Sequence, residues 1–247
     1  MLERDAARRP KTRVVMDRVE ECVYLPGQLA RCPARVPVHA LTPDQLDLLL
    51  EEGDQRVGNT LFRTECPMCS ACEPVRVSIP DFAPNRSQRR IFARGEEQLD
   101  LEVGRPELSR RKVNLWKRHR RARGLLTAHS RLDVTGYEEW LVQSCAQTLE
   151  FRYFHEAKLV GVSLLDLGRV SANSAYHYFD PRFSHLSLGV YSVIKEIQWC
   201  SELGMQWYYL GLWVEECRAL RYKTGFVPHE RLRGGAWWPG AELDSVG

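Results

Sequence analysis

The stretch EFRYFHEAKLVGVSLLDLGRVSANSAYHYFDP, residues 150–181, decides the fold of this chain. At residue 150 the hydrophobic period changes from that of a helix to that of extended strands. Turn signals at His155–Ala157 and near Gly168 divide the stretch into three consecutive segments. We therefore predict three strands, each antiparallel to the one before it.

The elements that follow these strands predict how the domain is completed. A loop HLSLG (185–189) precedes a helical stretch (190–204), an aromatic strand (206–214), a helix (216–225) and a final extended piece. This order resembles the core of the GNAT acyltransferases, in which amides at a helix N-terminus bind the phosphates of an activated acyl donor. We expect an α+β fold with a GNAT-like acyltransferase domain, and the order suggests acyl transfer as a reaction class.

The sequence before residue 150 predicts helices and a division into domains. One helix starts at Thr42, which can cap it, with Pro43 at the first helical position and Gly53 at its end. A second helical stretch lies in a basic region. A third places four residues along one face: Tyr137, Trp140, Leu141 and Cys145. We expect a small cysteine-containing N-terminal domain over residues 1–84 and the GNAT-like domain over residues 85–247.

Composition sets the class of protein. The 247 residues are 44% hydrophobic and include seven tryptophans, which is enough to fill a globular core. A formal charge of +3 is too small to indicate a nucleic-acid partner by itself. The N-terminus lacks the apolar region of a secretory signal, and no stretch is long and apolar enough to span a bilayer. We therefore expect a cytoplasmic protein without a membrane partner.

Two runs of cations contain few acids. Four arginines lie between residues 86 and 94, and residues 105–124 contain nine Lys or Arg against one acid, Glu107. A solvated helix face is the ordinary explanation of such a run. The missing acids, and Trp116 within the second run, favour a surface that contacts phosphates and stacks on nucleotides. Both interpretations stay open at this point.

Three regularly spaced cysteines, Cys66, Cys69 and Cys72, form a C-x2-C-x2-C motif. In a reducing compartment such cysteines are thiols or metal ligands. A tetrahedral site or a four-thiolate cluster needs a fourth ligand, for which Cys22 is the first candidate and Cys32 the second. The spacing predicts metal or cluster binding and does not separate zinc from iron–sulfur.

Matching stretches over most of the chain carry a resemblance to a known family. They are CVYLPGQLAR (22–31), CPMCSACEPVRV (66–77), FAPNRSQRR (82–90), AYHYFDP (175–181), SLGVY (187–191), YYLGLWV (208–214) and YKTGFVPHE (222–230). Together they resemble the N-degron aminoacyl-tRNA–protein transferases, the family of bacterial aspartate/glutamate leucyltransferases and eukaryotic arginyltransferases. The resemblance implies transfer of an amino acid from a charged tRNA to the α-amine of a protein that begins with Asp or Glu, which marks the product for degradation.

The resemblance also bears on the donor, the cofactor and the alternatives. Compact members of the family use leucyl-tRNA, so leucine is expected and arginine is the alternative. A non-catalytic RNA-binding protein with a zinc knuckle is the main alternative from another class, and an acetyltransferase would usually have a longer Gly-rich loop than HLSLG. Eukaryotic relatives associate a [4Fe–4S] cluster with N-terminal cysteines. The equivalent set would be Cys22, Cys66, Cys69 and Cys72, with zinc or bare thiols left open.

The chemistry of the implied reaction needs few side chains. An aminoacyl ester is already activated, so bringing amine and ester together can supply about 7–11 kcal/mol. An α-amine with a pKa near ~8 is partly neutral at pH 7, so no nucleophile and no general base is assigned. Cations are needed for the acidic side chain of the acceptor and for the tRNA backbone.

Arginines within the matched motifs are the candidates for these cationic roles. Arg76, Arg89 and Arg90 come first, and Arg86 follows. The alternative is that Arg89 or Arg90 pairs with a buried acid and stabilises a domain interface.

The remaining candidates lie in the C-terminal motifs. Ser187, Leu188 and Gly189 are expected to direct backbone amides at the terminal adenosine of the tRNA, with Tyr191 nearby. The other expected contacts to tRNA or acceptor are Tyr209, Gly211, Trp213 and Lys223. Core packing of the two aromatic residues and solvation of the lysine are the alternatives.

Overall fold

The computed structural model describes residues 8–125 and 131–241. In chain order the elements are β1 (Thr12–Met16), β2 (Val19–Glu21), β3 (Leu29–Arg31), β4 (Ala34–Pro37), α1 (Pro43–Glu51), β5 (Gln55–Val57), β6 (Thr60–Phe62), β7 (Glu73–Ser78), α2 (Arg86–Gln98), β8 (Asp100–Gly104), α3 (Arg110–Ala122), α4 (Val134–Tyr137), β9 (Thr148–His155), β10 (Lys158–Leu167), β11 (Ser171–Phe179), α5 (Leu188–Glu202), β12 (Trp207–Trp213), β13 (His229–Arg233) and β14 (Ala236–Pro239). Over these ranges, no helix combines the length and the apolar character that crossing a bilayer requires.

Eight strands form one mixed sheet in the order β14-β13-β7-β12-β11-β10-β9-β8. The strands β9, β10 and β11 pair antiparallel with their sequence neighbours, which confirms the predicted meander. Glu156 and Ala157, with φ of 49° and 61°, make the turn between β9 and β10. Residues of α2 and α5 join one core cluster and residues of α3 and α4 join a second, so both faces of the sheet are covered.

The strands β11 and β12 are parallel and are connected through α5. Among the described residues, their pairing is confined to Ser171–Asn173 and Trp207–Tyr209. Beyond these residues the two strands separate, and we call the opening between them the wedge. Gly189 in the first turn of α5 lies close to His177 in the second half of β11, so α5 begins beside the wedge.

Strand β7 brings the N-terminal part of the chain into the centre of the sheet. Its residues precede the domain boundary that the sequence predicts at residue 84, and they pair antiparallel with β12 on one side and β13 on the other. The cysteine motif therefore leads directly into the large sheet. The division at residue 84 stays a prediction.

The helix α1 agrees with the prediction from its capping residues. Thr42 Oγ1 accepts from the backbone N–H of Gln45 at 3.3 Å, and Gln45 Oε1 accepts from the backbone N–H of Thr42 at 3.1 Å. Pro43 is the first helical residue. Leu46 and Leu49 on the inner face are each 1% exposed, so α1 is held by its packing as well as by its cap.

A buried ion pair joins the small sheet, with strand order β1-β4-β6-β5, to the large one. Arg56 in β5 donates from Nε and Nη2 to the two carboxylate oxygens of Asp166 in β10, both at 2.6 Å. The two side chains are 2% and 0% exposed. Thr148 and Asn173 donate to the same carboxylate. It therefore collects donors from three strands.

The predicted third helix is shorter than expected. It comprises α4 and a π-helical turn, Glu138–Val142, so Cys145 lies beyond its end and Trp140 is 38% exposed. Ser144 Oγ accepts from the backbone N–H of Ala146 at 3.1 Å, and this hydrogen bond replaces the one that the N–H would make within a helix. The carbonyl of Cys145 accepts from the N–H of Leu41 at 2.7 Å. Cys145 is 6% exposed, as expected for a small apolar side chain.

The C-terminal elements differ from the prediction at two places. The helix α5 begins at Leu188, within the predicted loop. The helix predicted over 216–225 is a series of turns that ends in a 3₁₀ helix, Arg221–Gly225. The N–H of Leu220 bonds to the carbonyl of Cys217 three residues earlier, so this segment closes tight turns instead of an α-helix.

Candidate active site

The wedge is open beside the N-terminus of α5. Among the described residues, a Cβ placed on Gly189 would meet only Cε1 of His177 in β11, at 4.0 Å. The Nε2 atom of His177 is buried and has no hydrogen-bond partner in this part of the chain. Burial, followed by the charges of His119 and Arg123, lowers the pKa of His177 to about 3, so this imidazole is neutral at pH 7.

A β-bulge in β12 brings Gly211 and Lys223 together on the other side of the wedge. Gly211 has a φ of +76°, and a Cβ there would lie 3.3 Å from Gln55 Oε1 and 3.5 Å from Lys223 Nζ. Lys223 is 9% exposed and donates from Nζ to the carbonyl oxygen of Leu212 at 2.6 Å. Burial lowers the pKa of Lys223 to about 8. Its amine can therefore gain or lose a proton near neutral pH.

Arg76 lies in an aromatic sandwich on the neighbouring strand. Its guanidinium carbon is 3.9 Å from the ring centre of Trp207 and 4.3 Å from that of Trp237. It pairs with Glu230 at 2.7 Å and with Glu51, and it donates to Tyr209 Oη at 3.3 Å. The Glu51 side chain is 52% exposed, whereas that of Arg76 is 9% exposed.

The three arginines of the FAPNRSQRR stretch, Arg86, Arg89 and Arg90, lie on the outer face of α2 and are exposed. Arg89 donates to the carbonyl of Pro84 at 2.6 Å. Within the described ranges none of Arg86, Arg89 and Arg90 forms an ion pair, so the pairing with a buried acid that was the alternative is not observed there.

Gln88 is the buried residue of this motif and was not singled out by the sequence. It is 6% exposed and completes the cap of α2 with Asn85. Its Nε2 donates to the carbonyl of Gly225 at 2.9 Å. Gln88 thus fastens α2 to the segment that carries Lys223, and its position three residues after a capping Asn was the available signal.

The other motif residues contribute packing or backbone. Ser187 has a φ of +52° and its carbonyl accepts from the N–H of Val190 at 2.9 Å. Leu188 is fully buried. Tyr191 is 1% exposed and donates from Oη to Glu96 at 2.7 Å, so its side chain lies between α2 and α5. Trp213 is 8% exposed and belongs to the core cluster. Neither aromatic side chain is presented to the wedge as a contact surface.

Stacking of nucleotides on Trp116, one of the two interpretations that the sequence leaves open, is not supported by the structure. Trp116 is 1% exposed and meets Tyr137 edge-on at 5.7 Å. Apolar contact with the sheet turns it inward, together with Lys112, which pairs with the buried Glu150 at 2.7 Å. The basic run thus has an inner half that belongs to the core and an outer half that faces solvent.

The N-terminal part of the chain contains five half-buried cysteines: Cys22, Cys32, Cys66, Cys69 and Cys72. Cys22, Cys32, Cys66 and Cys72 line one pocket, and burial, followed by the charges of the other four thiols, raises the pKa of Cys72 to about 12. The N–H groups of Tyr24 and Leu25 donate to Cys22 Sγ at 3.5 and 3.4 Å. In the described ranges, however, no three His, Cys, Asp or Glu side chains form a group that could hold a metal ion. The donor chemistry fits zinc or iron–sulfur.

Comparison with known proteins identifies what the chain is similar to. Family models described as "Arginine-tRNA-protein transferase, N terminus" and "C terminus" match residues 20–90 and 111–233. The aspartate/glutamate leucyltransferase of Vibrio cholerae serotype O1 (strain M66-2) is 31% identical over 87% of this chain and 92% of its own length. That of Methylobacillus flagellatus is 31% identical over 88% of both chains.

A solved structure has a similar fold. It is the C-terminal domain of a protein assigned as a lysylphosphatidylglycerol synthetase from Agrobacterium fabrum. The TM-score is 0.50 at 13% identity, over 84% of this chain and 69% of that one. At this identity the likeness concerns the fold alone.

Proposed function

Because this chain belongs to the arginine-tRNA-protein transferase family, we propose that it moves leucine from leucyl-tRNA to the α-amine of proteins that begin with Asp or Glu. It is an aminoacyltransferase of the N-degron pathway, in which the product is marked for degradation. The relatives that are named leucyltransferases support leucine over arginine as the donor amino acid.

The wedge is the place where the aminoacyl ester would react, and the low-pKa lysine beside Gly211 is the observation that carries this assignment. The α-amine attacks the ester carbonyl carbon, a C–N bond forms, and the bond from that carbon to the ribose oxygen breaks. The proton lost by the amine goes to Lys223 or to the leaving ribose oxygen. Parallel strands that separate beside a helix N-terminus support a GNAT-like arrangement for this step.

Arg76 would bind the acidic side chain of the acceptor. Arg76 contacts Tyr209, and Lys223 adjoins Gly211, two positions further along β12. An N-terminal Asp or Glu would place its carboxylate on Arg76 and direct its α-amine toward Lys223. Glu51 would be the group that it displaces, because Glu51 is half exposed whereas Arg76 and Tyr209 are buried.

Transfer assays test the proposed function. Labelled leucine from leucyl-tRNA should appear on peptides that begin with Asp or Glu and not on the same peptide beginning with Ala. Transfer of arginine from arginyl-tRNA instead would keep the reaction and overturn the donor. If folded protein transfers neither amino acid yet binds tRNA, the non-catalytic RNA-binding alternative is correct.

We further propose that Cys22, Cys66, Cys69 and Cys72 hold a metal ion or an iron–sulfur cluster, which would order the segment leading into β7. The two N–H···S hydrogen bonds support Cys22 over Cys32 as the fourth ligand. We expect Cys22→Ser and Cys66→Ser to lose bound metal, while Cys32→Ser and the buried control Cys145→Ala retain it. Metal per chain and visible absorption measure this; equal metal content in all variants would exclude the set.

A further inference from the structure

A cationic groove lies outside the wedge, between α3 and the turn that connects β9 to β10. Its volume is about 420 Å³, and its lining includes Arg111, Arg118 and Lys158 but no acidic residue. All three cations are exposed. Apolar lining such as Leu159 gives the groove a floor. A groove of this kind favours a negatively charged, extended ligand.

A buried carboxylate fixes the direction of two arginines beside this groove. Asp180, whose side chain is fully buried, pairs with Arg118 from α3 and with Arg182 Nη2 at 2.6 Å. The two guanidinium groups stay 43% and 60% exposed. One carboxylate therefore holds two arginines from different elements, and the group of three side chains has a net positive charge.

An aromatic ring continues the cationic surface. Phe183 is half-buried, and its ring centre lies 5.3 Å from that of His155 and 6.2 Å from that of His185. Lys158 Nζ lies 5.0 Å from the same ring centre. Cations beside an aromatic face are the pattern with which proteins bind single-stranded nucleic acid, since phosphates meet the cations and bases stack on the ring.

The surface leads to the wedge. Asp180 donates its N–H to the carbonyl of Val160 at 2.8 Å, which places the end of β11 against the floor of the groove. The 3₁₀ helix Pro181–Leu186 carries Arg182 and Phe183, and one residue, Ser187, separates it from α5. A strand of nucleic acid that follows this surface thus reaches the opening where Gly189 leaves space.

We propose that the groove and Phe183 bind the single-stranded 3′ end of the tRNA, with phosphates on Arg118, Lys158 and Arg182 and a base stacked on Phe183. This inference rests on the proposed function, because the terminal nucleotide would carry the amino acid into the wedge. An acidic protein segment would also meet the cations, but it gives Phe183 no role, so RNA is the ligand we assign.

Binding of uncharged tRNA, measured by fluorescence anisotropy, tests the site independently of catalysis. We expect Lys158→Ala and Arg182→Ala each to weaken binding of intact tRNA about fivefold at physiological salt and to reduce the salt slope by about one. Phe183→Leu should weaken binding of intact tRNA without changing the salt slope. None of these variants should change the binding of a tRNA that lacks its single-stranded 3′ end.

The matched control is Arg169→Ala. Arg169 is 63% exposed and pairs with Asp44 at the turn between β10 and β11, so it resembles Arg182 in exposure and partner but lies elsewhere. It should bind tRNA as the wild type does. Equal loss of affinity for intact and truncated tRNA, or no loss in any groove variant, would overturn the proposal. Loss limited to intact tRNA in a protein that transfers nothing would keep this site and overturn the proposed function.

Discussion

Replacing Lys223 with methionine should lower kcat for leucyl transfer by about 100-fold or more, the range in which a positioned acid–base group contributes. Lys223 is buried beside Gly211, its Nζ atom is held by the carbonyl of Leu212, and burial lowers its pKa to about 8. Methionine keeps the length of the side chain and removes the amine. Steady-state transfer with saturating leucyl-tRNA and peptide measures the effect.

The pH profile separates this role from a structural one. A lysine whose pKa is lowered to about 8 becomes neutral as the pH rises through that value, so kcat of the wild type should rise toward pH 8 and level off above it. The acceptor α-amine also titrates near pH ~8, so Lys223→Met should keep the limb of that amine and lose only the added steepness that comes from the lysine. The control Lys195→Met removes an amine that pairs with Glu96 on the surface of α5 and should leave kcat unchanged. Wild-type kcat in Lys223→Met would exclude the lysine from the reaction.

The second large effect concerns stability. Arg56→Leu should lower the free energy of unfolding by about 3–5 kcal/mol, because it leaves the carboxylate of Asp166 buried without its charged partner. Unfolding in urea, followed by circular dichroism at pH 7, measures this difference. The loss should be cooperative across the chain, since the pair joins the small sheet to the large one.

Two further variants test the cause. The double variant Arg56→Leu with Asp166→Leu removes both charges and should recover part of the lost stability. Arg169→Leu breaks an exposed ion pair with Asp44 and should leave the stability nearly unchanged, because solvent screens such a pair. A loss in the double variant equal to the loss in Arg56→Leu plus the loss in Asp166→Leu, made alone, would show that the charges do not act on each other.

Local signals in the sequence predict the elements that depend on neighbouring residues. Thr42 and Gln45, which cap α1 together, are only three positions apart in the sequence. The turn at Glu156–Ala157 is predicted by the end of one strand pattern and the start of the next. The order of strands, loop and helix that predicts the meander β9–β11 and the helix α5 is of the same kind. The spacing of apolar residues overestimated the length of the third predicted helix, because the hydroxyl of Ser144 accepts a backbone hydrogen bond beyond the point where that helix ends.

The residues that the sequence could not place depend on distant partners. Arg76 finds Glu51, Glu230 and Trp237 in three separate elements, and no spacing along the chain encodes that meeting. Trp116 belongs to a run of cations, so local composition left a surface role open for it, whereas the sheet beneath α3 buries it. Lys223 was found by its motif, but its low pKa comes from burial and could not be seen in the motif.

The central place of β7 has a consequence for how the protein is made. Val77 pairs with Tyr208 and with His229, both of which are synthesised long after it. During translation the strand that follows the cysteines must wait for most of the chain to leave the ribosome, and such distant pairing is slow to form. A product that stops before residue 207 would expose both edges of β7, so premature termination should yield aggregating fragments instead of a stable N-terminal half.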